Sequence, residues 1–285
     1  MATFFNQATL SYGGNVVNSN TTEAELLSGL QLTKTAITPT YSQGDGVVYA
    51  ITLSNMGSAA YNALTVTDNL GAYTLAGGTV AVPLTYVDGS LLYYLNGVLQ
   101  PSPTVTAAGN LSIEGINLPA NSTATFIYEA RANEFAPIAQ GSVITNTAST
   151  NGGAGIGEIS ATATVTADEA PELTIAKAVC PAVLSDNDQL TYTLIVQNLG
   201  NTPIVATDGV IVSDVFNPIL SDITVTLNGT ALDEGTGYTY NDTTGAFATL
   251  SGALPIPGAT AVQDPTTGAW TLVPGVATLT VTGVV

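Results

Sequence analysis

The sequence predicts an all-β chain of two tandem β-sandwich domains preceded by a donor strand, and three observations lead to this prediction. Thr, Val, Ala and Gly are abundant, whereas helix-favouring residues are scarce, with 3 Lys+Arg and 2 Met in 285 residues. A series of short strand motifs occurs twice in the same order. A run near the N-terminus matches the strand that closes the first series. We therefore divide the chain into a donor strand and linker (1–29), a first sandwich (30–156), a linker (157–172) and a second sandwich lacking its last strand (173–285).

The N-terminal run is residues 4–14 (FFNQATLSYGG), and its match is residues 144–153 (ITNTASTNGG). Both contain an Asn-x-Ala-(Ser/Thr) core and leave through Gly-Gly. The second copy falls where the first sandwich should close, and a third is expected after Val285, where the sequence ends. We interpret the first copy as the strand that closes the second sandwich of a neighbouring subunit.

The internal repeat defines the strands of both sandwiches. Alternation of large apolar residues with their neighbours predicts half-buried strands, and Asn-Gly pairs predict hairpin turns. The matched segments are 32–36 with 175–179, 49–57 with 192–200, 64–70 with 210–216, 95–97 with 227–229, and 124–128 with 277–281. Short strands at such spacings favour immunoglobulin-like sandwiches. The interval 157–172 carries its own alternating Ala-Thr strand.

Composition and charge exclude several classes of function. The formal net charge is -18, with 3 Lys+Arg against 21 Asp+Glu, so neither nucleic acid nor an anionic membrane surface is an expected partner. No apolar run reaches about 18 residues, so we predict no membrane span. The chain has no His, P-loop, nucleophile elbow or metal motif. An enzyme acting on external substrates is therefore disfavoured, and no cofactor is expected.

The order of these motifs resembles the repeat family called domain of unknown function eleven. The resemblance rests on a lysine in the opening strand, on residues 44–49 (GDGVVY), on Asn-x-Gly, on (Val/Ile)-x-(Thr/Ser)-Asp and on a closing Thr-Asn-Thr-Ala. It implies a surface protein of Gram-positive bacteria, related to pilin and adhesin domains that carry intramolecular isopeptide bonds. The chain departs from the family because the closing strand of the second repeat is missing and one precedes the first.

An isopeptide bond needs a neutral lysine amine, a side-chain amide and a carboxyl group that moves protons. Burial lowers the pKa of a lysine and raises that of a carboxyl group, and neighbouring strands can hold amine and amide together. The only two lysines, Lys34 and Lys177, occupy equivalent positions of the repeat. We predict a bond from Lys34 to Asn146 within one subunit, assisted by Asp68. We predict a second from Lys177 to Asn6 of the next subunit, assisted by Asp214, each bond releasing ammonia in one self-directed turnover.

Simpler interpretations of these residues remain open. Each lysine is alternatively an exposed strand residue or a buried cation paired with an acid, and each asparagine an ordinary turn former. Residues 186–188 (Asp-Asn-Asp) and Asp45 resemble calcium ligands, but no twelve-residue ligand pattern follows them. The single Cys180 excludes an intrachain disulfide, and we expect it to be buried or half-buried, with an interchain role left open.

A sandwich without its last strand exposes unpaired backbone groups, which a strand from another subunit can cover. Donor and acceptor surfaces differ, so repeated contacts generate a filament unless they close into a ring. The sequence thus predicts a head-to-tail homopolymer outside the cell, on a cell or spore surface. The alternative is a two-repeat binding module of a larger cell-surface adhesin or surface-layer protein. No secretory leader is visible in the first residues, which motivates the hypothesis of assembly inside a spore-forming mother cell.

Overall fold

The computed structural model describes residues 2–26, 29–151, 157–183, 185 and 188–285. The chain is 58% strand and 1% helix, which confirms the all-β prediction. The described residues cluster into two compact units, one made of residues up to 137 with 143–166 and the other of 138–142 with 167–285. This division differs from the predicted bounds at 138–142, which cluster with the second unit, and at 157–166, which cluster with the first.

Residues 2–26 form a two-armed antiparallel structure that we call the N-terminal ribbon. Its strands are β1 (Ala2–Asn6), β2 (Thr9–Tyr12), β3 (Asn15–Asn18) and β4 (Thr22–Leu26). β1 pairs with β4 and β2 with β3, and the chain reverses at Gly13 and Gly14, whose positive φ angles glycine adopts without strain. Every described side chain from residue 4 to 24 is exposed. The sequence predicted a single strand followed by a linker here, and the structure adds a second arm.

The first sandwich follows the ribbon. Its strands are β5 (Leu30–Ala36), β6 (Thr40–Tyr41), β7 (Gly46–Asn55), β8 (Tyr61–Asp68), β9 (Tyr73–Thr74), β10 (Val80–Ala81), β11 (Leu84–Tyr86), β12 (Leu92–Leu95), β13 (Val98–Gln100), β14 (Thr104–Ala107), β15 (Leu111–Leu118), β16 (Ser122–Ala132), β17 (Val143–Asn151) and β18 (Glu158–Ala167). Within the described residues, one sheet has the order β13-β12-β16-β7-β5, with β11 also on β16, and the other has the order β14-β15-β8-β17-β18-β6.

The core of this sandwich lies between the inward faces of its two sheets. On β7, alternate residues Val47, Tyr49, Ile51 and Leu53 are fully buried, as the period-2 pattern predicts. The interval 157–172, expected to be a linker, contains β18. This strand pairs with β17 along its whole length, because its alternating small and β-branched residues fit the open edge of the second sheet.

The second sandwich repeats most of this plan. Its elements are β19 (Leu173–Cys180), β20 (Gln189–Asn198), a 3₁₀ turn (Ala206–Asp208), β21 (Ser213–Val215), β22 (Ser221–Leu227), β23 (Thr230–Leu232), β24 (Tyr238–Tyr240), β25 (Ala246–Thr249), β26 (Thr260–Gln263), β27 (Trp270–Val273) and β28 (Gly275–Val284). The sheet order β23-β22-β28-β20-β19 reproduces β13-β12-β16-β7-β5. The predicted Asn-Gly hairpins are present in both sandwiches, with positive φ at Asn96, Gly97, Asn228 and Gly229.

The two sandwiches share the sheet order just described but differ in their second sheet. In the second sandwich, β21, β25 and β24 correspond to β8, β15 and β14, and no strand among the described residues corresponds to β17, β18 or β6. Accordingly every residue of β19 is exposed, whereas its counterpart β5 alternates between buried and exposed residues. Ile175 on β19 is 57% exposed although its strand pattern marks it as a core residue.

Candidate cross-linking sites

Lys34 lies on β5 at an inward position, in line with the buried Leu30 and Leu32. Its side chain is fully buried. Desolvation disfavours a charged amine, and it lowers the pKa of Lys34 to about 8, against the opposing effect of Asp68. The fold thus moves this amine towards its neutral, nucleophilic form.

Asp68 is the last residue of β8 and is also fully buried. Its Oδ2 lies 2.6 Å from Lys34 Nζ and accepts a 2.5 Å hydrogen bond from the Tyr128 hydroxyl. Its Oδ1 accepts a hydrogen bond from the Leu70 N–H at 2.9 Å. Both oxygens of this buried side chain therefore have hydrogen-bond donors.

Asn146 lies on β17 and is fully buried. Its Nδ2 donates to the Tyr128 hydroxyl oxygen at 3.2 Å, while its Oδ1 has no hydrogen-bond partner among the described residues. Ala148, two residues further on, stands opposite Asp68 in the β17–β8 register, so Asn146 and Asp68 point into the same core. The structure therefore brings together Lys34, Asp68 and Asn146 from three strands.

Tyr128 on β16 joins these groups and was missed by the sequence reasoning. Burial raises the pKa of Tyr128 well above its ordinary value, and the Asp68 charge acts in the same direction, so the hydroxyl keeps its proton. The ring stacks on Tyr49 with centroids 5.7 Å apart, and Lys34 Nζ lies 4.9 Å from the Tyr49 ring centre. The available signal was the alternation of 124–128, which places a phenol at a core position of the closing motif.

This arrangement has the components of amide formation. Asp68 can accept a proton from Lys34 and leave a neutral amine. Lys34 and Asn146 lie on strands of opposite sheets, so a covalent bond between them would join the two layers of the sandwich. Both side chains are fixed by packing and by Tyr128 or Asp68, which removes much of the entropic cost of bringing them together.

The second site is an open counterpart of the first. Lys177 on β19 forms an ion pair with Asp214 Oδ2 on β21, and the two side chains are 40% and 19% exposed. Lys177 Nζ lies 4.3 Å from the centre of the Tyr192 ring, the counterpart of Tyr49, which places the cation on an aromatic face. Tyr192 stands opposite Val281 as Tyr49 stands opposite Tyr128, so the bridging hydroxyl of the first site has no counterpart here.

Asn6, the predicted partner of Lys177, is the last residue of β1 in the N-terminal ribbon. Its side chain is exposed, and it stands opposite Thr22 on β4. It is thus an unburied amide at the same motif position that Asn146 occupies in the core of the first sandwich.

Other sequence-based expectations have mixed outcomes. Cys180 is exposed at the end of β19, not buried, because β19 has no facing strand among the described residues. Of the residues considered for calcium, Asp186 and Asn187 lie outside the described residues, and Asp45 accepts a turn hydrogen bond from the Ser42 N–H at 2.9 Å. In the part of the chain that the structure describes, no helix has the length and apolar character needed to cross a bilayer.

No protein-family model matches the sequence, and no curated protein does. Similar solved structures include three pilus proteins. The pilus backbone protein of Streptococcus pneumoniae is 11% identical, with 86% of this chain and 55% of that chain covered and a TM-score of 0.35. A C-terminal fragment of the major pilin of Streptococcus agalactiae is 12% identical, with 87% of this chain and 79% of that chain covered and a TM-score of 0.37. The major pilin subunit of Bacillus cereus is 12% identical, with 96% of this chain and 73% of that chain covered and a TM-score of 0.36.

Proposed function

We propose that this protein is the structural subunit of an extracellular bacterial filament, a pilus-like fibre or a spore appendage. Subunits join head to tail, with the N-terminal strand of one closing the second sandwich of the next. One observation carries the proposal: the Lys–Asp pair of the buried first site recurs at the open second site, and a second copy of the asparagine motif lies on an exposed strand.

Within each subunit, Lys34 and Asn146 form an isopeptide bond. Lys34 transfers a proton to Asp68, and the neutral Nζ attacks the Asn146 side-chain carbonyl carbon. The attacking nitrogen loses a second proton, the leaving NH₂ group gains one through Asp68, and ammonia departs. The C–N bond of the amide breaks and a new C–N bond forms, so the subunit loses the mass of one ammonia.

Between subunits, the N-terminal strand takes the place that β17 has in the first sandwich. Aligning Asn6 with Asn146 sets the register, and it places Ala8 opposite Asp214 as Ala148 is opposite Asp68. The inward residues Ile144, Asn146, Ala148 and Thr150 are then replaced by Phe4, Asn6, Ala8 and Leu10. This strand is thus apolar where the core requires it, apart from the reactive amide.

The exposed residues of the second sandwich favour this partner. A strand inserted beside β21 pairs its free backbone edge and covers β19, where Ile175 and Val179 are 57% and 46% exposed. It also surrounds the Lys177–Asp214 pair with protein, which creates the desolvated setting found at Lys34. Because donor and acceptor are different surfaces, each added subunit exposes a new acceptor, and the assembly grows as a fibre.

The proposal is tested by intact-mass spectrometry and by denaturing gels of boiled protein, comparing the parent with Asn6→Ala and Gln7→Ala. Gln7 is the matched control, because it carries a side-chain amide on the same strand but points away from the acceptor core in the proposed register. We expect a ladder of covalent multimers for the parent and for Gln7→Ala, and monomers for Asn6→Ala. Each monomer should be lighter than its sequence by one ammonia.

Two results would contradict the proposal. Full-mass monomers in all three samples would remove the isopeptide chemistry, and unassembled parent protein under the electron microscope would remove the filament as well. A stable parent monomer that binds a surface ligand would instead support the adhesin-module function.

A further inference from the structure

We infer that the element donated to the neighbouring copy of this chain is the whole N-terminal ribbon, residues 2–26, inserted as a preformed two-stranded hairpin. The second sandwich then receives two strands rather than one. This inference rests on the proposed function, because it specifies the partner segment of the same joint.

The first sandwich shows which element closes this fold. β17 is not alone at the edge of β8, because β18 pairs with it from Val143 opposite Thr166 to Asn151 opposite Glu158. Ala163 and Val165 on β18 are buried, so both arms of this hairpin contribute to the core. Among the described residues the second sandwich has a counterpart of neither arm.

Over its β1–β4 pairs, the N-terminal ribbon matches this hairpin in register, whereas the β2–β3 pairs, with Leu10 opposite Val17, are shifted by one residue. In the first sandwich, Asn146 is opposite Ala163 and Ile144 is opposite Val165. In the ribbon, Asn6 is opposite Thr22 and Phe4 is opposite Ala24. Aligning Asn6 with Asn146 therefore places Thr22 and Ala24 at the positions of two buried residues, without any change in the pairing of the ribbon.

The two faces of the ribbon differ in the way that insertion requires. The face that carries Asn6 would point into the acceptor core, and the opposite face would point to water. The inward set is apolar or small, and it consists of Phe4, Asn6, Ala8, Leu10, Thr22 and Ala24. The outward set includes Gln7, Thr9 and the charged Glu23, together with one large apolar residue, Phe5. An amphipathic ribbon whose described residues are all exposed is suited to burial against a partner sheet.

Donation of the intact ribbon also loses less conformational entropy than donation of one strand. The β1–β4 pairs from Ala2–Leu26 to Asn6–Thr22 already exist in the free chain. A single-strand mechanism would break these pairs so that the strand carrying Asn6 could enter alone, with residues 8–10 beside β21, whereas the ribbon inserts with its own hydrogen bonds intact. Preformed structure reduces the entropy that association must overcome.

The two mechanisms also join successive subunits through linkers of different length. With the ribbon inserted, only residues 27–29 separate the donated β4 from β5, a reach of about 10 Å. If the strand through Leu10 inserted alone, residues 11–29 would remain as a linker with a reach of about 60 Å. Ribbon donation therefore predicts a stiff fibre with closely coupled subunits.

A disulfide across the ribbon separates the two mechanisms. Phe5 and Glu23 are directly opposite each other and exposed, at a spacing compatible with a disulfide. Phe5→Cys/Glu23→Cys, made in a Cys180→Ser background, locks the two arms when oxidised and frees them when reduced. Assembly is followed by light scattering and negative-stain microscopy. We expect the oxidised and reduced proteins to assemble at rates within about twofold of each other.

A second variant tests whether β4 enters the acceptor. Ala24→Asp puts a carboxylate at the position of the buried Val165, while Ala24 itself is exposed in the free ribbon, so the monomer should fold normally. We expect assembly to slow at least tenfold, with the outward substitution Glu23→Asp assembling like the parent. Buried unpaired charge is the physical reason.

If the oxidised protein stays monomeric while the reduced protein assembles, the inference is overturned and single-strand donation remains. Parent-like assembly of Ala24→Asp would overturn it as well. If the Cys180→Ser background itself does not assemble under conditions in which the wild-type protein does, Cys180→Ala replaces it. If the wild-type protein does not assemble, the proposed filament function fails first.

Discussion

The strongest test of the buried site is a double-mutant cycle with Lys34→Met and Asn146→Ala. A bond between these residues closes a loop of about 110 residues, which by loop-closure entropy stabilises the folded state by about 5 kcal/mol. Either single substitution removes the whole bond, so the double mutant should lose it only once. The coupling free energy should therefore be about 5 kcal/mol, above the range of about 0.5–3 kcal/mol found for non-covalent neighbours.

Calorimetry of the full chain gives the unfolding transitions of these four proteins, and intact-mass spectrometry reports the bond. For a sandwich of this size, 5 kcal/mol corresponds to a loss of about 15–25 °C in the melting temperature of the first unit. The parent should be light by one ammonia and all three variants should have full mass. Additive stability losses together with a full-mass parent would refute the reasoning, because they describe an ordinary buried ion pair beside an asparagine.

Two further predictions concern the chemistry of this site. Asn146→Ala retains the free Lys34 amine. The pKa of this amine is about 8 in the folded state and 10.5 when burial is lost, so between these pH values only the unfolded state holds the proton. The free energy of unfolding of Asn146→Ala, measured by urea titration, should therefore rise between pH 8 and 10.5 relative to that of the Lys34→Met/Asn146→Ala control, which shares the buried tyrosines whose raised pKa values favour the opposite slope above pH 10. Tyr128→Phe removes the hydroxyl between Asp68 and Asn146 and should leave unreacted subunits in the mass spectrum, with bond formation slowed about tenfold or more. Tyr49→Phe is its control, because the Tyr49 hydroxyl interacts with Asn146 but does not bridge it to Asp68 by hydrogen bonds, and equal effects of both changes would contradict a role for the bridge.

The sequence predicted the all-β fold, and it grouped Lys34, Asp68 and Asn146, which lie together in the structure, while their cross-linking stays a prediction. Strand alternation fixes which face of a sheet a residue occupies. The local pattern is therefore enough to assign Lys34, Asp68 and Asn146 to inward positions, without knowledge of how their strands pair. Tyr128 could not be predicted in the same way, since its role depends on β16 lying beside β7, which puts its hydroxyl between two groups of the other sheet.

The same limit explains the two differences in the chain organisation. β18 has a strand pattern, but only its pairing with β17 shows that it belongs to the first sandwich and is not a linker. The second arm of the N-terminal ribbon is rich in Thr and Glu, which marks it neither as core nor as a strand partner. Its pairing with β1 joins residues about twenty positions apart, beyond the range of local pattern.

The difference between the two sites bears on the order of assembly. At the first site, the folding of one chain buries Lys34, Asp68 and Asn146 together, so the proposed bond would need no partner. At the second site, the Lys177 side chain is 40% exposed beside Asp214. No strand among the described residues covers it as β17 covers the first site. Under the proposed assembly, an inserted strand supplies the amide and excludes the water in the same step. Because a strand slipped by one residue would turn Asn6 to the opposite face, only the correct register can be sealed covalently. In the proposed assembly, strand pairing would therefore select the partner, and the isopeptide bond would make that selection irreversible.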